Sequence, residues 1–148
     1  MKIKIINGVN LNMLGIREKN IYGNATYDDL VAYVQEKCAK MNVELEFFQS
    51  NCEGEIVDAI QACYFDKLDG IVINAGAYTH YSYAILDAIK AVMLPCVEVH
   101  ISDIAARENF RHLSVIEPAC ICQIKGKGFD GYVEGVEKIV EKRNAERN

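Results

Sequence analysis

The apolar positions of the chain keep two alternating rhythms. Short segments at Ile3 to Asn7, Val43 to Gln49, Gly70 to Asn74, Pro95 to Ile101 and Ala119 to Lys125 read as strands, and three of them are the near-continuous apolar runs of strands buried on both faces. Between them, apolar residues recur at helical spacing. Leu30, Val31, Val34, Cys38 and Met41 form one stripe, Ile56, Ile60 and Cys63 a second, and Ile85, Ile89 and Val92 a third. Val133, Val136 and Val140 form the last, opposite a charged face. Thr26, with the acid Asp29 three residues on, gives the first helix its N-terminal cap.

The order β-α-β-α-β-α-β-(short helix)-β-α predicts an α/β fold, a flavodoxin-like doubly wound five-stranded parallel sheet with helices on both faces. At 148 residues and 51% hydrophobic, the chain is long enough to bury a core of its own, so one domain over residues 1–148 is expected. The net charge of -5 is mild and no basic stripe interrupts it. That argues against nucleic acid or an anionic membrane as partner and favours a small metabolite. The N-terminus begins as a strand and no apolar run reaches spanning length, so neither a signal peptide nor a membrane segment is expected, and a cytoplasmic location is. Six cysteines without a C-x-x-C pair read as small buried hydrophobes in a reducing compartment.

In such a sheet ligands bind beyond the carboxyl ends of the strands, where the strand order reverses, between the first and third strands with the fourth alongside. The loop after the first carries Asn7, Asn10, Asn12, Arg17 and Tyr22; the third is followed by Asn74-Ala-Gly-Ala-Tyr-Thr-His80; the fourth ends in Glu98-Val-His100-Ile-Ser102-Asp103, with Arg107 and Arg111 beyond. Residues i and i+2 of a strand share a face, so Glu98 can orient His100 as a general acid or base; a strand-end ion pair is the plainer alternative. Gly15 and Gly23 bound a segment that can act as a lid. A guanidinium beside Tyr22 would favour its phenolate, although spacing alone leaves Tyr22 equally readable as an ordinary loop aromatic. The loop is neither G-x-G-x-x-G nor a P-loop, and Asp28 and Asp29 open a helix, so no nucleotide and no metal is expected. A receiver domain would need acids where Asn7 and Asn74 stand, and a flavin carrier a Ser/Thr-rich first loop.

From end to end the chain resembles the type II 3-dehydroquinate dehydratases of the shikimate pathway. The likeness rests on Ile6-Asn-Gly-Val-Asn-Leu-Asn-Met-Leu-Gly15, Arg17-Glu18, Ile21-Tyr-Gly23, Phe48-Gln-Ser-Asn51, Glu53-Gly-Glu55, Asn74-Ala-Gly-Ala-Tyr-Thr-His80, Glu98-Val-His-Ile-Ser102 and Ala106-Arg-Glu-Asn-Phe-Arg-His112. The resemblance implies conversion of 3-dehydroquinate to 3-dehydroshikimate by anti elimination through an enolate, with no cofactor and no Schiff base. It implies Tyr22 as the base, Arg17 as its electrostatic partner, Asn10 as holder of the water that meets the enolate oxygen, and His100, oriented by Glu98, as the acid. Substrate binding would fall to Asn74, Ile101 and Ser102 for the carboxylate and to His80 and Arg111 for ring hydroxyls. Asp87 would reach the site of a neighbouring copy in a homo-oligomer, a dodecamer built from trimers. The chain departs from the family at Val9, where proline is usual, and at Asp103-Ile-Ala105, where Asn and then His are usual.

Overall fold

The computed structural model describes residues 1–16 and 18–148, with Tyr22 described by its backbone only. Its first strand, β1 (Lys2–Asn7), leads through a 3-10 turn at Leu11–Met13 and a single helical turn, α1 (Lys19–Tyr22), to α2 (Tyr27–Cys38). There follow β2 (Glu44–Gln49), α3 (Glu53–Phe65), β3 (Gly70–Asn74), a 3-10 turn at Gly76–His80, α4 (Tyr83–Val92) and β4 (Cys96–His100). Three further 3-10 turns lead to β5 (Cys122–Lys125), and α5 (Asp130–Arg147) closes the chain. The sheet is parallel in the order β2-β1-β3-β4-β5, the flavodoxin-like order expected, with its reversal between β1 and β3.

Period-two alternation divides the core between the two faces. Ile6, Ile71, Ile73 and Cys96 pack with Ile56, Ile60, Ile85 and Ile89 of α3 and α4. Ile3, Ile5, Val72, Val97 and Val99 pack with Leu30 and Val34 of α2 and Tyr132, Val136 and Ile139 of α5. The cap on α2 forms a full reciprocal box: Asp29 N–H donates to Thr26 Oγ1 at 3.2 Å, and Thr26 N–H donates to the Asp29 carboxylate at 2.8 Å.

Several boundaries differ from expectation. Strand β5 starts at Cys122 rather than Ala119, because Glu117–Ala119, with Pro118 inside it, turns as 3-10 helix. Helix α5 buries Gly131, Tyr132, Gly135, Val136 and Ile139, while Val133 and Val140 lie at the edge of the contact. The two glycines decide its face: a Cβ on Gly131 would stand 3.2 Å from Val99 Cγ1, and one on Gly135 3.2 Å from Val72 Cγ1. All six cysteines are free. Cys38, Cys63 and Cys96 are buried as expected, and burial pushes the Cys38 and Cys63 thiols up to about 11. Cys52, ahead of α3, is exposed and does not fit that reading.

Candidate active site

The turns after β1 and β3 meet at the carboxyl edge of the sheet. Gly8 N–H donates to the Asn74 carbonyl at 2.7 Å, and only glycine permits the approach, since a Cβ there would lie 2.4 Å from the Ala75 oxygen. The next residues form a bend in which Asn10 takes the left-handed conformation (φ 68°), a state asparagine tolerates better than most. Two side chains from the end of β2 pin this bend. Asn51 Oδ1 accepts from Asn10 N–H at 2.9 Å, and Gln49 Nε2 donates to the Gly8 carbonyl at 3.1 Å and to Asn51 Oδ1 at 3.2 Å. Asn10 is therefore held at the mouth of the cleft although Val9 replaces the usual proline.

One cleft at this edge is lined by Asn10, Asn74, His80, His100, Ile101, Ser102 and Arg111, all expected site residues, together with Arg107. Glu98 lies directly behind it, fully buried. His100 and Glu98, two residues apart on one face of β4, are bonded Nε2 to Oε2 at 2.5 Å. The ring's other nitrogen, Nδ1, is thus the one available to a bound molecule. Burial alone would push the Glu98 carboxyl up, but hydrogen bonding and charge from His100, with further bonds from Ser114 Oγ (2.7 Å) and Gln123 Nε2 (2.6 Å), hold it below its ordinary value.

The backbone after His100 is oriented by the loop beyond β5. Gly126 N–H donates to the His100 carbonyl at 3.3 Å and Gly128 N–H to the Ile101 carbonyl at 3.1 Å. In a trans peptide the N–H points away from the C=O, so the N–H groups of Ile101 and Ser102 point away from that loop. Asn74 itself is fixed at both ends of its amide. Its Oδ1 accepts from Gly76 N–H at 3.1 Å, and one Nδ2–H goes to Tyr132 Oη at 2.9 Å, leaving the second hydrogen for a ligand. Tyr132 Oη in turn donates to Asn7 Oδ1 at 2.6 Å.

On the opposite wall His80 Nδ1 donates to the Leu113 carbonyl at 2.7 Å, which leaves Nε2 as its acceptor. Burial lowers the His80 pKa and the Arg111 charge acts in the same direction, against the Leu113 carbonyl, so the ring is neutral at neutral pH. The Arg111 guanidinium is steadied by Glu108 at 2.7 Å and lies over the Phe110 ring at 4.7 Å. Asp103 Oδ1 accepts from Ala105 N–H at 3.0 Å, so aspartate supplies the turn cap at this departure from the family. Ala105 is exposed, and the absent histidine leaves no hole there.

One expected residue does not join this cleft. Asp87 is exposed on α4 and does not line it. Arg17 and the side chain of Tyr22 lie outside the described residues. Next to them, Glu18 is bonded to Arg107 Nη2 at 3.2 and 3.4 Å, which ties the β1 loop to the segment after β4. Sequence reasoning missed Ser114, Gln123 and Tyr132 as supports of the site. The one signal available was Gln123 itself, a polar residue set between the apolar Cys122 and Ile124. Among the described residues no three His, Cys, Asp or Glu side chains gather where they could hold a metal ion, and no helix is long and apolar enough to cross a membrane.

The sequence model of class II dehydroquinase matches residues 1–140. Among curated proteins, the 3-dehydroquinate dehydratase of Caldicellulosiruptor bescii is 61% identical over 140 residues, covering 95% of this chain and 97% of that one. The 3-dehydroquinate dehydratase of Fusobacterium nucleatum is 59% identical over 146 residues, covering 97% and 99%. Among solved structures, the type II dehydroquinase of Butyrivibrio crossotus superposes with a TM-score of 0.92 at 56% identity, over 94% of this chain and 97% of that one. A 3-dehydroquinate dehydratase-like protein from Bifidobacterium longum superposes at 0.71 with 27% identity, over 95% and 96%. The chain belongs to the class II dehydroquinase family.

Proposed function

We propose that this chain, acting as one catalytic domain over residues 1–148, dehydrates 3-dehydroquinate to 3-dehydroshikimate in the shikimate pathway of aromatic amino-acid biosynthesis. The observation that carries the reading is the buried Glu98–His100 pair at the head of a cleft ringed by neutral donors, with the guanidinium groups of Arg107 and Arg111 among its lining beside Asn74. A substrate with one carboxylate fits the N–H groups of Ile101 and Ser102, the Ser102 hydroxyl and the free hydrogen of the Asn74 amide. His80 and Arg111 then take ring hydroxyls.

The proton removed lies α to the ketone, so the base can be weak if the developing enolate is stabilised in place. Tyr22 as phenolate takes that proton, with Arg17 balancing its charge. The electron pair moves into the enolate, whose oxygen is met by a water held by Asn10. When the enolate collapses, the C–O bond breaks on the opposite face, and His100 as imidazolium gives its Nδ1 proton to the departing hydroxyl, which leaves as water. Glu98 keeps its negative charge throughout and stabilises the imidazolium.

The reaction asks for no cofactor. Asp87 serves the cleft of a neighbouring copy in a homo-oligomer built from trimers, and the enzyme works in the cytoplasm. Turnover is read as the growth of enone absorbance from 3-dehydroquinate, and it is expected to survive both a chelator and borohydride added with substrate. Loss under chelation would point to a metal, and loss under borohydride to a Schiff base. Tyr22→Phe is expected to abolish turnover while a carboxylate product analogue still binds; a substantial remaining rate would take the base role from Tyr22.

A further inference from the structure

We propose that Gln123 and Ser114 are positioning residues for His100, acting through Glu98: their hydrogen bonds hold the carboxylate in its charged form and so fix the imidazole with Nε2 on Glu98 and Nδ1 toward the cleft. The inference rests on the reading of His100 as the acid.

Glu98 is 0% exposed, so water does not solvate its charge. Protein donors replace it. Oε1 accepts from Ser114 Oγ–H at 2.7 Å, and Oε2 accepts from Gln123 Nε2–H at 2.6 Å and from His100 Nε2 at 2.5 Å. Sheet register brings Gln123 there, since β5 pairs with β4 so that Gln123 stands opposite Glu98. Ser114 is aimed by a third group: its Oγ accepts from Glu117 N–H at 3.1 Å, which turns its own proton to Glu98.

A neutral carboxyl would carry a proton that needs an acceptor. Gln123 Nε2 offers none and the Ser114 oxygen already accepts from Glu117 N–H, so His100 Nε2 is the acceptor best placed for that proton. The two donors therefore oppose passage of the imidazole proton to Glu98 and oppose the tautomer with its proton on Nδ1. The other charged or titratable neighbours are few. Among the described residues, His80, Arg107 and Arg111 line the cleft with His100. Cys96 lies two residues back on the same strand face beside Cys120 and Cys63. Lys125, opposite His100 on β5, is exposed.

The test compares Gln123→Met, Ser114→Ala and Ser114→Thr in the full-length protein by the pH profile of kcat and by nitrogen NMR of the His100 ring without substrate. Losing a donor destabilises the carboxylate, so the acid limb should move up by about one pH unit in the Met and Ala variants. Ser114→Thr, which keeps the hydroxyl, should return it to the wild-type position. The ring should read as the Nε2–H tautomer in the wild type and as a mixture in the two variants, a signal that does not depend on turnover. Failure of the wild type to consume 3-dehydroquinate would refute the acid reading of His100. An unmoved acid limb with an unmoved tautomer signal, or a fall in rate uniform across pH, would overturn the positioning role.

Discussion

Tyr132 acts on the site from behind the sheet. It is fully buried on α5, and its hydroxyl joins Asn7 at the end of β1 to Asn74 at the end of β3, two residues that face each other in the strand register. The bridge fixes which hydrogen of the Asn74 amide is spent and which is left for substrate. Tyr132→Phe keeps the ring in the core and deletes the bridge, leaving two buried amides short of a partner. The expected cost is about 1–3 kcal/mol of stability, read as a lower urea midpoint at unchanged slope. KM should rise by more than kcat falls, because the amide lost its orientation and the acid did not. An unchanged KM would mean that the strand ends hold Asn74 without help.

At the scale of elements, the segment between Gly15 and Gly23 carries the helical turn α1, and Glu18 just before it is bonded to Arg107. Arg107 is about nine-tenths covered and Glu18 about one-third exposed, so the pair is worth roughly 0–1 kcal/mol to the fold. Its larger effect falls on the loop. Glu18→Gln should leave the melting temperature nearly unchanged while lowering kcat/KM, and the wild-type rate should fall with added salt more than that of the variant. Equal salt dependence would separate the ion pair from loop closure. Much of this element-level picture is legible in sequence, because apolar runs and the Thr26–Asp29 box are local signals. The convergence of Asn10, Asn74, His80 and His100 is legible too, since the parallel order dictates which strand ends meet. What hides is whatever depends on register or close approach. Gln123 matters because it lies across from Glu98, and α5 packs through Gly131 and Gly135, residues that a count of apolar positions passes over.

At the scale of the whole molecule, large apolar side chains stand exposed around the cleft: Tyr81 (60%) and Tyr83 (66%) flank the start of α4, and Phe110 (58%) and Leu113 (61%) flank Arg111. The Phe110 ring lies 5.8 Å from that of His80, so this apolar rim is continuous with the cleft wall. Such a rim is the usual mark of a protein contact, and α4 also carries the exposed Asp87 that the trans-acting reading needs. A neighbouring copy seated there would bring its own Asp87 toward this cleft and shield the charge from water. The protein should then sediment as an assembly many times heavier than its 16.6 kDa chain, with activity that falls on dilution as the assembly dissociates. Asp87→Ala should keep both the assembly and the melting temperature and raise KM by about tenfold or more, the worth of one charge-assisted hydrogen bond. Unchanged kinetics in an intact assembly would confine the site to one chain, and unchanged specific activity in a monomer would do the same.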